Sequence, residues 1–306
     1  MTTTAVQRPV VGRPVGADAF YLTIALVAVS TSGPLIAATA APALAIAFWR
    51  NAMASAVLLP TAWLTCRDEL RGLGRRERLL ALLAGGLHAA HFATWIPAVG
   101  LTSVASATAL VATQPVWAAL ISGLRGQPVG RRVWFGICVA MAGALLLTGV
   151  DVTTSGRALL GDGLAMIGAI FAAGYMIAGS EVRRSVSTTT YTTLCYTTTA
   201  LLLLVVCLIG RQSLGGYDKS DWLKLLALTA GAQLLGHSLF NRVLRSTSPT
   251  VVSLSILFEI PGAALIAALF LGQRPPLLAI PAAVLLLAGL ALVIRATTAG
   301  PSVPVE

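Results

Sequence analysis

Ten stretches of this chain are each long and apolar enough to be a bilayer span, and they leave little room for anything else. A helix crosses ~30 Å of hydrocarbon with ~20 predominantly apolar residues. Such runs fall at 19–38, 43–65, 79–98, 103–124, 132–150, 159–180, 188–209, 222–241, 250–271 and 277–295. In lipid each backbone N–H and C=O needs a partner within the protein, so runs of this length read as helices. Composition closes off the alternatives. Of 306 residues, 57% are hydrophobic and 10% charged, against ~25% charged in a soluble domain. A soluble fold could not cover so much apolar surface, and a disordered chain would not carry it. The reading is an all-α membrane protein. Segments 1–18 and 297–306 are expected to be tails, with five-helix units at 19–150 and 151–296.

The net charge of +10 raises nucleic acid as a partner, but the basic residues sit in short gaps between apolar runs. That pattern belongs to membrane topology. Counted on alternate sides, 15 Arg lie with Arg8, Arg75 and Arg132, and 5 basic residues lie with Arg157 and Lys219; Arg50 falls inside a span. The positive-inside rule then puts both termini in the cytoplasm. Arg8 and Arg13, the run from Phe20 and Ala38-Thr39-Ala40 also resemble a cleavable signal peptide. Apolar character resumes at Ala43, and cleavage would leave nine spans, so the first helix is expected to stay. Cys66, Cys138, Cys195 and Cys207 form no CxxC or Cys/His spacing. Neither a disulfide framework nor a zinc site is expected, and no metal or cofactor.

The chain repeats itself at an offset of 146 residues. His91 meets His237, Pro115 meets Pro261, Gly126-Gln127 meets Gly272-Gln273, and Gly143 meets Gly289. Five spans per repeat is odd, so the second repeat enters the membrane from the opposite side. Inverted repeats of this kind belong to alternating-access carriers, with the substrate site near midplane between the halves.

The stretch Gly85-Gly-Leu-His-Ala-Ala-His-Phe-Ala-Thr-Trp95, with Thr102–Thr108 and Thr113-Gln-Pro-Val116 after it, resembles EamA-type transporters of the drug/metabolite transporter superfamily. Phe48-Trp-Arg50, Phe258-Glu-Ile-Pro-Gly-Ala-Ala264 and the Leu285–Ala291 run around Gly289 carry the same likeness, which spans nearly the whole chain. It implies ten spans in a five-plus-five plan and a bacterial inner-membrane carrier that often exports amino acids or related metabolites. Where the family usually has Gly-Glu after the fourth and ninth spans, this chain has Gly-Gln, at Gln127 and Gln273.

Polar groups inside a membrane are costly and therefore candidates for function. His88, His91, Phe92 and Trp95 follow i, i+3, i+4, i+7 spacing and share one helix face. Gln233, His237 and Asn241 form a second stripe at i, i+4, i+8. Both stripes are candidate substrate contacts, and both could equally serve interhelical hydrogen bonds. Glu259 is the one carboxylate well inside a span, one turn after Ser255. It is a candidate proton carrier or cation partner, or a structural group at the bend of Pro261. Arg50, the one cation inside a span, could attract a substrate carboxylate or pin two helices together. Ser30-Thr31-Ser32-Gly33-Pro34 is the most polar piece of any span, so Ser32 is a candidate contact. Pro34, Pro115 and Pro261 are expected helix breaks. Tyr175 and Trp117 are candidate aromatic walls, and Asp162 reads as a helix N-cap.

No Gly-x4-Gly-Lys-Ser/Thr, His-Glu-x2-His or Gly-x-Ser-x-Gly motif is present. The expectation is therefore a non-enzymatic secondary carrier, exporting a small amphipathic metabolite such as an amino acid. Its partners would be that substrate and the bilayer, with no nucleic acid. Proton coupling would rest on Glu259 and the histidines; an uncoupled facilitator on the same scaffold is the alternative. An intramembrane enzyme built on the three histidines and a non-transporting scaffold are more distant readings.

Overall fold

A computed structural model of the protein describes residues 16–102, 107, 110–127, 129–148, 155–262, 265–266 and 278–298. All regular structure among them is helical. In chain order the helices are α1 (Gly16–Ser30), α2 (Ser32–Ala37), α3 (Ala43–Thr65), α4 (Arg67–Gly72), α5 (Arg75–Leu101), α6 (Gln114–Leu124) and α7 (Arg131–Thr148). Then come α8 (Gly156–Val182), α9 (Thr188–Ile209), α10 (Lys219–Leu228), a π-helical stretch Thr229–His237, α11 (Ser238–Val243), α12 (Pro249–Ile256) and α13 (Ala279–Thr298). Among the described residues, six helical stretches are long and apolar enough to cross a membrane, and two apolar helices are shorter. Leu64, Leu124 and Ile209 stand out from the bundle. Large exposed apolar side chains of this kind suit a lipid-facing surface.

Local chemistry sets where the helices begin and break. Ser155, Ser187 and Ser248 cap α8, α9 and α12, each accepting from the N–H three residues on. These caps satisfy donors that the first helical turn leaves free. Asp162, expected as an N-cap, lies two turns inside α8, because Ser155 starts that helix earlier. Each of the three prolines follows a break: Thr31 before Pro34, 112–113 before Pro115, and 257–258 before Pro261. Proline has no N–H to give and its ring crowds the preceding turn, so the helix opens on its N-terminal side. The eighth apolar run, which reads as an ordinary helix, carries the π-helical stretch in its middle.

Helix packing is symmetric under the 146-residue shift. α5 packs on α8, and the related α1 packs on the 229–243 stretch. The α5–α9 contact is matched by α3 with the π-helical stretch. The pairs α3–α9 and α7–α13 each map onto themselves. Exchange of this kind is what a twofold relation between halves produces. It reaches single residues where α7 crosses α13. A Cβ on Gly136 would fall 2.9 Å from the Gly289 carbonyl oxygen, and one on Gly143 2.8 Å from that of Ala282. The shift takes Gly136 to 282 and Gly143 to 289, so the two contacts exchange. Small residues let the backbones meet, the source of packing energy between helices in lipid.

At one end of the bundle α4 holds the start of α9. Glu69 accepts from the Ser187 N–H at 2.7 Å and from the hydroxyls of Ser187 and Thr190. Partial burial pushes this carboxyl up, but the Ser187 and Thr190 hydrogen bonds outweigh it and hold it below the usual carboxylate range.

Two outcomes are expected. Gly289→Val sets a side chain against Ala140 N, 2.5 Å from the new Cβ, and should cost about 1–3 kcal/mol. A fall in detergent melting temperature, absent in an exposed control such as Gly163→Ala, checks this. Glu69→Gln should cost about 1–3 kcal/mol at neutral pH. Because the folded carboxyl is lowered, its contribution is present above the ordinary carboxylate range and lost as pH falls through the lowered value. The melting curves of parent and Glu69→Gln should therefore converge on acidification.

Candidate functional site

A cavity of about 90 Å³ lies where the broken helices meet. That is several times the ~10–15 Å³ needed by one water. Both halves contribute: Val29, Ser32, Arg50, His88, His91, Phe92, Trp95 and Gln114 from one, Tyr175, His237, Phe240, Ser253 and Glu259 from the other. Three of these, Ser32, Gln114 and Glu259, stand within three residues of a proline-linked break. Opened backbone at such breaks is tolerated in a membrane because it borders protein or a cavity rather than lipid.

Arg50 is buried, at 1% exposure. Its Nε donates to Gln233 Oε1 at 2.9 Å, and its guanidinium lies 4.5 Å over the Phe92 ring. A guanidinium only donates, so Gln233 must turn its oxygen to Arg50 and its NH2 the other way. That NH2 donates to Asn51 Oδ1 at 3.1 Å and stands 3.5 Å from His88 Nε2. His88 stacks on Tyr175 at 4.3 Å and meets His237 edge-on at 5.3 Å. The Tyr175 hydroxyl donates to Asn241 Oδ1 at 2.8 Å, and Asn241 Nδ2 donates to the Tyr196 hydroxyl at 3.2 Å. His91 Nδ1 meets the Gly168 carbonyl at 2.9 Å. A carbonyl only accepts, so Nδ1 carries the proton there. The His91 ring also stacks on Trp95 at 5.8 Å. Gln114 Nε2 donates to Ser253 Oγ at 3.0 Å, tying α6 to α12 beside the cavity.

Of the candidates read from the sequence, His88, His91, Trp95, His237, Ser32, Tyr175, Glu259 and Arg50 all line this one cavity. Gln233 and Asn241 do not line it; they stand behind the wall, bonded to Arg50 and Tyr175. The i, i+4, i+8 stripe assumed α-helical steps, and the π-helical stretch turns through a smaller angle per residue. Pro34, Pro115 and Pro261 shape the backbone and stay off the wall. Trp117 is not on it either, and donates to Thr113 Oγ1 at 3.0 Å. Ser255 donates to the Val251 carbonyl of its own helix. Gln273 lies outside the described residues. Asn51, Tyr196, Gln114 and Ser253 went unread as candidates. Tyr196 carries one available signal, as the 146-residue counterpart of Arg50.

Chemically the wall joins one cation and one carboxylate to a belt of aromatic and imidazole rings. Such a wall suits a small molecule with a polar head and an apolar body. The Arg50–Gln233 bond should be its main support. Gln233→Leu strips Arg50 Nε and Asn51 Oδ1 of their partners and should cost about 3 kcal/mol or more. Gln233→Glu keeps the acceptor for Arg50 and should melt closer to the parent. Equal melting of Gln233→Leu and the parent would refute this.

Comparison with known proteins follows the same outline. A search of curated proteins finds no match to the chain. Among solved structures, one described only as the crystal structure of a protein is similar with a TM-score of 0.76. It is 18% identical and the match covers 90% of this chain and 96% of that one, a likeness of fold alone. The family model of the EamA-like transporter family matches twice, over residues 18–149 and 159–295. With both matches together spanning most of its length, this multi-pass helical membrane protein belongs to the EamA-like transporter family.

Proposed function

We propose that the protein is a secondary carrier that exports a small amphipathic metabolite, such as an amino acid, across the bacterial inner membrane. The observation that carries this reading is the cavity, walled by both repeats and bordered by broken helices. In alternating-access carriers the substrate sits between two related halves, at helices interrupted near the midplane. The proposed plan is ten spans in two inverted five-helix repeats, 19–150 and 151–296, with tails 1–18 and 297–306 in the cytoplasm. The exchange of helix contacts under the 146-residue shift supports the repeat relation. The 15-to-5 distribution of basic residues supports the placement of the tails. His88, His91, Trp95, Tyr175, His237 and Ser32 are the proposed contacts, with Gln233 and Asn241 behind them. No nucleic acid or cofactor enters the cycle.

Glu259 is the one carboxylate on the cavity wall among the described residues, and no hydrogen bond or ion pair holds it there. A carboxylate so placed can take up and release a proton as the cavity changes sides. The test is flux in proteoliposomes with and without an imposed pH difference, using metabolites that leak from cells carrying the protein and not from cells lacking it. The parent should respond to the pH difference, and Glu259→Gln should transport without responding. A Gln variant that responds like the parent removes the proton role. A parent that transports without responding is an uncoupled facilitator, and a parent that moves no such metabolite is not a carrier.

A further inference from the structure

Four buried side-chain nitrogens around the cavity have no hydrogen-bond partner: Arg50 Nη2, His88 Nδ1, Trp95 Nε1 and His237 Nδ1. All four side chains line the same space. Buried polar atoms without partners are rare in folded proteins, and four around one cavity ask for a common explanation. Two of them are donors by nature, the guanidinium and the indole N–H. The third follows from the chain of bonds behind the wall. Arg50 fixes the Gln233 amide, whose NH2 approaches His88 Nε2. The Nε2 of His88 then accepts, so its proton sits on Nδ1 and the free atom is a donor. The wall therefore offers three spare N–H donors, one of them on a cation.

We infer that the substrate is an organic monocarboxylate, its carboxylate taken by Arg50 with His88 and Trp95, and its body lying among Phe92, Trp95 and Tyr175. This rests on the carrier reading, and narrows it to a head group. Oxygen acceptors with negative charge are the partners that a guanidinium and two neutral N–H groups bind best. Glu259 borders the same cavity, and in its ionised form it repels a second carboxylate, which counts against dicarboxylates. In this scheme Gln233 is a positioning residue: it touches no substrate, but sets which His88 nitrogen carries the proton.

Binding to the purified full-length protein in detergent tests the inference without any transport measurement. The probes share one skeleton and differ in head group: 3-phenylpropionate, its amide, 3-phenylpropylamine and phenylsuccinate. The carboxylate should raise the melting temperature in a concentration-dependent way, with the amide, amine and dicarboxylate at least tenfold weaker. Arg50→Lys keeps the charge but not the fork, and should weaken the carboxylate at least tenfold. If that variant does not fold, the parent's head-group series decides alone. The chain has 3 histidines, so a ¹⁵N-histidine spectrum with a His88→Gln control isolates the His88 ring. Its Nδ1–H resonance should move with 3-phenylpropionate and not with the amine. Equal binding of amine or amide, or no binding by any of the four, overturns the inference. Failure of flux with intact carboxylate binding would instead remove the carrier reading.

Discussion

A guanidinium buried in an apolar helix bundle is the constraint on which this site depends. Removing such a group from water costs several kcal/mol unless its protons are directed at partners. Arg50 meets that demand in part, with one hydrogen bond to Gln233 and the face of Phe92, and leaves Nη2 for a further acceptor. Arg50 stands on α3, and its partners come from the π-helical stretch and α5. Satisfying one side chain thus locks together helices from both repeats. It also sets the direction of the Gln233 amide, and through it the next contacts to Asn51 and His88.

Around that lock the protein divides into rigid and open parts. The α7–α13 crossing brings backbones together through Gly136, Gly143 and Gly289, and none of these residues approaches the cavity. The cavity is lined by faces of α3, α5 and α8 together with broken elements: the α1–α2 junction, the start of α6, the π-helical stretch and the turn after α12. Continuous helices with glycine crossings resist deformation, whereas interrupted ones have backbone groups free to change partners. Such a division fits a protein in which the wall of a site moves against a fixed frame.

The two halves share a plan and differ in chemistry. The repeat shift relates His91 to His237, yet His91 is tied to the Gly168 carbonyl and His237 has a free Nδ1. It relates Arg50 to Tyr196, a cation on one side and a phenol on the other. It relates Glu259 to Thr113, which donates to the Leu110 carbonyl. A repeated scaffold therefore carries an asymmetric cavity, which would suit a molecule with unlike ends.

Class, membrane environment and repeat were legible in the sequence because each is a matter of counting. Apolar length reports the solvent, and a recurring offset of His and Pro reports duplication. The face of α5 was legible too, since His88, His91, Phe92 and Trp95 sit on a regular α-helix whose period is known. The second stripe was not. The π-helical stretch packs against α1 and α3, residues far away in the chain, and it altered the step on which Gln233, His237 and Asn241 were read. Asp162 failed for a more local reason: Ser155 offered an earlier cap. Arg50 could be read from the sequence as a buried cation but not as the partner of Gln233, 183 residues away. Periodicity is a property of neighbours along the chain. Which polar groups line a cavity and which stand behind it is settled by partners that only tertiary packing brings within hydrogen-bond reach.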